Sequence, residues 1–167
     1  MNILRHIICM GRNSSFLCNI KFGKNNASNQ EVIDAAKNAV VHENIINFSK
    51  GYDTVLGERG ITLSGGQKQR VSIARAFIKS PQILLLDDCL SAVDTETEEQ
   101  ILKNLEKITK NRTTIIVSHR ISSAKNADHI IVLDEGEILQ EGSHNQLISQ
   151  DGYYKALYEQ QLQDALS

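Results

Sequence analysis

Leu63-Ser64-Gly65-Gly66-Gln67 opens a helix-forming segment, and the apolar run Ile83-Leu84-Leu85-Leu86 that follows ends in the carboxylate pair Asp87-Asp88. Ser64 stands three residues ahead of Gln67, the S-x-x-Q spacing of a capping box. Glycines are poor formers of a first helical turn. Their value there is close approach, because without a β-carbon the backbone amides can touch a bulky anion. Free amides and the helix dipole together attract phosphate. A glycine-rich turn that merely caps a helix is the plainer alternative. A strand end bearing Asp87 adds a carboxylate suited to a hard cation. The two features together point to nucleotide chemistry, although the sequence contains no GxxxxGK[ST] run, the usual phosphate cradle.

Outward from this centre the periodicities define an α/β chain. Ser64 to Lys79 reads as the strongest helix, with Val71, Ala74, Phe77 and Ile78 on its apolar stripe and Pro81 as its stop. Gln82 to Leu86 and Thr113 to Val117 lack polar alternation, so both are expected as strands of a parallel sheet buried on two faces. Thr95 to Thr109 between them is a charged amphipathic helix, and Glu96, Glu98 and Glu99 read as its solvated face. A right-handed strand–helix–strand crossover would bring Asp87, Asp88 and Ser118-His119 to one sheet edge, where ligands of open parallel sheets bind.

The flanks are simpler. Residues 1–27 are poorly patterned. Ser28 and Glu31 form a capping box ahead of a helix over 30–41, with Val32, Ala35, Ala36 and Ala39 on one stripe. A short helix over 43–48 and a loop over 51–62 follow. A hairpin turns at Glu135-Gly136, and two helices fill residues 143–166.

A chain of 167 residues holds one domain with a real core, and 41% hydrophobic with 23% charged residues is ordinary for a globular protein. The net charge of -2 argues against a nucleic-acid partner. No apolar stretch is long enough to span a bilayer, and Arg12 closes the first apolar run too early for a signal peptide. Cys9, Cys18 and Cys89 make no CxxC pair and read as reduced thiols. His6, His42, His129 and His144 have no neighbours at metal-binding spacing, and Tyr153, Tyr154 and Tyr158 read as packing residues of the tail.

Four motifs in fixed order resemble those of the ATP-binding cassette (ABC) ATPases of exporter type. Leu63, Ser64, Gly65, Gly66 and Gln67 resemble the family's signature, Ile83 to Asp87 its Walker B strand, Ser91-Ala92-Val93-Asp94 its D-loop, and His119 its switch histidine. The resemblance covers roughly residues 15–165 and implies part of a P-loop NTPase cassette. Residues 1–14 are then an unmatched start, and 15–80 a helical subdomain ending in the signature helix. Residues 81–167 are the Walker B, D-loop and switch-histidine part of the core, with the hairpin and terminal helices.

By the same resemblance, Asp87 holds Mg²⁺, and Asp88 stands where the family commonly has the glutamate that polarises the attacking water. Asp88 is one methylene shorter, so a slow site is expected. His119 contacts the γ-phosphate, and Leu63 to Gln67 cap the ATP of a partner. Asp94 crosses the dimer interface, or simply caps the next helix. Glu58, in Gly57-Glu58-Arg59-Gly60, lies in the loop that exporters use to reach their transmembrane domains.

The implied partners are a second nucleotide-binding domain and a transmembrane domain, with the cassette at the cytoplasmic face of the membrane. The missing Walker A lysine implies a distal fragment of a cassette that is inactive alone. The other readings are a non-catalytic or regulatory fragment that docks on a complete cassette, and a soluble ABC ATPase of DNA repair or translation. The acidic charge balance counts against the last.

Overall fold

The computed structural model describes residues 3–5, 14–57 and 61–166. They fall into two compact units, one ending at Val117 and the other beginning at Ser118.

The first unit opens with strand β1 (Ile3–Arg5), strand β2 (Ser14–Ser15) and helix α1 (Phe16–Lys21). Helices α2 (Asn29–Asn38) and α3 (His42–Ile46) follow, then strand β3 (Val55–Leu56) and helix α4 (Gly65–Lys79). Strand β4 (Ile83–Asp87), helix α5 (Thr95–Ile108) and strand β5 (Thr113–Val117) complete it. β1, β4 and β5 form a parallel sheet in that order. Residues 1–27 carried no clear pattern because β1 and β2 are very short. Their partners, β4 and β3, lie far along the chain.

Capping sets the helix starts. Ser28 and Glu31 exchange both bonds of a capping box, and Ser64 and Gln67 do the same. α4 ends at Ser80, whose φ of +52° is left-handed, immediately before Pro81. The expected stripes of α2 and α4 are buried together in one core that also takes Phe16, Ile20, Leu84 and Leu86. Just after α1 the chain passes close to α4, where a β-carbon on Gly23 would stand 2.2 Å from the Arg75 carbonyl oxygen. The buried Arg75 guanidinium donates from Nε to the Asn19 carbonyl oxygen (2.8 Å) and from Nη2 to Asn19 Oδ1 (3.0 Å).

Two expectations fail here. Glu98 is not solvated but fully buried, at 0% exposure, because it continues the Ile101, Leu102 and Leu105 stripe of α5 at helical spacing. The strands are not buried on both faces either. Leu84 and Leu86 enter the core, while Ile115 and Val117 of β5 remain 48% and 51% exposed. An apolar run reports what a strand can bury, and burial itself needs an element on each face.

The second unit holds helix α6 (Ile121–Ala124), strands β6 (Ile130–Asp134) and β7 (Glu137–Gly142), and helices α7 (His144–Ile148) and α8 (Tyr153–Leu166). β6 and β7 form the expected hairpin, with Glu135 and Gly136 both at positive φ, +47° and +87°. Ile121, Ile130, Leu147 and Tyr154 make its small core, while Tyr153 is exposed. His144 Nδ1 lies 2.8 Å from the Tyr154 hydroxyl. Among the described residues, no helix is long and apolar enough to cross a membrane.

Candidate nucleotide-facing site

The tip of α4 is built by its cap. The Ser64 amide donates to Gln67 Oε1 (3.0 Å), and the Gln67 amide donates to Ser64 Oγ (3.2 Å). The box therefore occupies the first and fourth amides. Those of Gly65 and Gly66 point along the helix axis with no acceptor inside the helix. Ser64 and Gly65 are exposed, so the tip is open to an anion. Leu63 differs from its neighbours: its side chain is buried in the core and anchors the tip from below.

Segment 88–94 runs directly beside this tip. A β-carbon on Gly66 would stand 2.6 Å from the Ala92 carbonyl oxygen, whereas one on Gly65 would meet only the Ala92 β-carbon, at 3.4 Å. Gly66 is thus required by packing inside the chain, and Gly65 is the glycine whose bare surface faces outward. The sequence offered one explanation for both glycines, and the structure separates them.

Gln69 joins the two segments. Its Nε2 donates to Ser91 Oγ (3.0 Å), and its Oε1 accepts from the Ala92 amide (2.9 Å). Ser91 Oγ in turn donates to the Asp88 carbonyl oxygen (3.0 Å). Lys68-Gln69-Arg70 follows the motif directly in the sequence, but nothing in that spacing marks Gln69 as the residue that reaches Ser91 and Ala92. Arg70 donates to the carbonyl oxygens of Gly66 and Val40, which ties the tip to the end of α2. Desolvation lowers the Arg70 pKa, opposed by the nearby Asp94 charge.

Asp87 and Asp88 are exposed at the end of β4, where Asp87 pairs with Val117 of β5. Asp88 turns the chain at φ +46°, a left-handed conformation in which aspartate is enriched among residues other than glycine. Its amide donates to the Val117 carbonyl oxygen (3.0 Å). The thiol of neighbouring Cys89 is buried, which pushes its pKa up to about 12. Asp94 caps α5, its Oδ1 accepting from the Thr97 amide (2.9 Å), and that hydrogen bond holds its carboxyl below the usual range.

The structure thus brings Ser64 to Gln67, Asp87, Asp88 and Asp94 into one unit. His119 is exposed in the second unit, and its carbonyl oxygen accepts from Gln161 Nε2 (2.9 Å). Glu58 lies outside the described residues. Among the described residues, no three metal-ligating side chains cluster. A single exposed carboxylate still suits Mg²⁺, which keeps most of its waters and takes its other ligands from phosphate.

The sequence profile described as ABC transporter matches residues 3–91. Heavy metal tolerance factor 1 of Caenorhabditis elegans is 51% identical over 150 residues, 90% of this chain and 19% of that protein. The ABC transporter ATP-binding protein YknU of Bacillus subtilis is 52% identical over 151 residues, 90% of this chain and 26% of its own length. The ATP-dependent lipid A-core flippase of Chromohalobacter salexigens is 44% identical over 153 residues, again 26% of that protein. The chain therefore spans about a fifth to a quarter of these relatives. Among solved structures, a bacterial Atm1-family ABC exporter with ATP bound superposes with a TM-score of 0.87 at 42% identity. That match covers 96% of this chain and 28% of the exporter. On the profile match, the relatives and the shared fold together, the chain belongs to the ABC transporter family.

Proposed function

We propose that this chain supplies the signature half of an ATP site, capping a nucleotide gripped by another cassette. The observation that carries the reading is the exposed Ser64–Gly65 tip, locked by Gln69 and Gly66 to the segment that ends in Asp94. Ser64 Oγ and the amides of Gly65 and Gly66 would bind the γ-phosphate side of the triphosphate. Asp94 would meet the partner cassette beside it. ATP supplies a phosphoanhydride bond whose cleavage the transporter uses, and Mg²⁺ neutralises the phosphate charge.

Within the chain's own half, Asp87 would orient the Mg²⁺ waters, Asp88 would polarise the attacking water, and His119 would hold it toward the phosphate. Asp88 reaches about one bond less than glutamate, and a misplacement of about 1 Å can cost about a hundredfold in rate. This half also needs a phosphate cradle, and the sequence contains no GxxxxGK[ST] run. On its own the chain should therefore neither bind Mg-ATP tightly nor hydrolyse it. In an intact exporter, residues 15–80 would form the helical subdomain and 81–167 the core part. The loop around Glu58 would transmit closure to the transmembrane domain across the cytoplasmic face of the membrane.

A complementation assay tests this. A complete exporter cassette whose signature serine is replaced by arginine is mixed with the chain, and Mg-ATP turnover is followed. Turnover should return as the chain is added, and Ser64→Arg in the chain should abolish the return. Micromolar Mg-ATP affinity of the chain alone, with no effect on the crippled cassette, would overturn the proposal. Saturable docking on the cassette without turnover would favour a regulatory fragment instead.

A further inference from the structure

We propose that Gln69 is a positioning residue: its carboxamide clamps the Ser91–Ala92 turn onto the signature helix, so that the phosphate-facing tip and Asp94 are presented as one rigid body. The inference rests on the capping role proposed above and adds the device that makes it effective.

The geometry is that of a two-point clamp. A carboxamide donates from its nitrogen and accepts at its oxygen within a single plane. Gln69 uses both ends on consecutive residues, Nε2 toward Ser91 Oγ at 3.0 Å and Oε1 toward the Ala92 amide at 2.9 Å. The Ser91 hydroxyl is thereby turned to donate onward to the Asp88 carbonyl oxygen at 3.0 Å. Two residues beyond the clamped amide, Asp94 begins α5. On the other side of the contact, Gly66 lets the Ala92 carbonyl lie against the tip. Both walls of the contact are therefore fixed, one by a missing β-carbon and the other by the carboxamide.

The segment from Asp88 to Asp94 is otherwise held to itself by little regular structure. Alongside the clamp, the Asp88 amide donates to the Val117 carbonyl oxygen, the Val93 amide donates to the Leu90 carbonyl oxygen, and Cys89, Leu90 and Val93 are buried. Cys89, Leu90 and Val93 anchor the segment from the core side, and Gln69 fixes its outer turn at Ser91 and Ala92 against the helix tip. Sub-ångström register between such groups is what electrostatic capping of a phosphate depends on.

Two measurements on the full chain test the clamp. In the complementation assay, Gln69→Leu should lower the maximal turnover about tenfold, while the chain concentration giving half-maximal effect moves less than about twofold. Gln69→Glu keeps the acceptor for the Ala92 amide but loses the donor, and should retain an intermediate rate. Ser91→Ala combined with Gln69→Leu should cost less than the product of the two single losses. An unchanged maximal rate for Gln69→Leu beside an active wild type would overturn the clamp and leave the capping role standing. So would losses that multiply in the double variant.

The second measurement needs no partner. Amide hydrogen exchange at Ala92 should accelerate at least tenfold in Gln69→Leu and less in Gln69→Glu, with exchange in the body of α4 unchanged. Unchanged exchange at Ala92 would overturn the clamp even if the wild-type chain never restores turnover, an outcome that by itself counts against the capping role alone.

Discussion

The carbonyl oxygen of Ala92 occupies the space that a β-carbon on Gly66 would need, 2.6 Å from its ideal position, while Gly65 one residue earlier meets nothing closer than 3.4 Å. Neighbouring glycines in one helical turn therefore serve different ends. Gly65→Ala should raise stability by about 0.4–1 kcal/mol, because alanine restricts the unfolded chain and fits the site. If the proposed capping role holds, it should also weaken turnover in the complementation assay, since the new methyl group adds bulk at the exposed tip. Gly66→Ala should lower stability by about 1–3 kcal/mol through overpacking against backbone. Urea midpoints of the two variants decide the matter, and equal stability would show that Ala92 yields freely.

Asn19 is the hub of the contact between α1 and α4. Its side chain donates to Ser14 and Ser15 and accepts from the buried Arg75 guanidinium. Asn19→Ala removes an acceptor from a buried cation and should cost about 2–3 kcal/mol. Chemical unfolding monitored by circular dichroism measures this. A loss below 0.5 kcal/mol, about the size of a neutral surface change, would mean that water replaces the amide.

Alkaline pH should weaken the fold through Cys89 and Tyr52. Burial raises the Cys89 thiol from an ordinary 9.0 to about 12, and the Tyr52 hydroxyl from 10.0 to about 12, with Asp34 and Glu43 adding to the latter. The folded chain keeps both protons while the unfolded chain releases them. The stability they contribute is intact below pH 9 and falls as the pH rises toward 12, by at most about 1.4 kcal/mol per pH unit for each group. Urea midpoints across pH 7–11 should show the decline, and Cys89→Ala should flatten it. At neutral pH, iodoacetamide should label the exposed Cys18 well before the buried Cys89, as mass spectrometry of timed samples would show.

The exposed Ile115 and Val117 make the β5 face a hazard for the isolated chain. Ile115→Thr with Val117→Thr should reduce dye binding by exposed apolar surface and slow aggregation, with stability changed by less than about 1 kcal/mol. Light scattering on heating follows the effect. A large loss of stability would show instead that this face is packed.

Much of the site was legible in one dimension because its parts are local. The Ser64–Gln67 box, the Asp94 cap and the Glu135-Gly136 turn each involve residues within a few positions of one another, so spacing and residue type suffice to find them. The parallel strands β4 and β5 were readable for the same reason, as apolar runs flanking one amphipathic helix. Strands β1 and β2 were not, since they gain their identity only from distant partners. Glu98 was misassigned because its charge argued for solvent while its helical phase put it in the core.

The order of motifs, the helix tip and its cap, and the family they imply were determined by the chain's local chemistry, which depends on neighbours a few residues apart. That Gly66 yields space to Ala92, that Gln69 grips Ser91 and Ala92, and that one face of β5 stays bare were decided only in three dimensions. Those relationships join residues about two dozen positions apart or depend on which element covers a face, and neither spacing nor residue type encodes them.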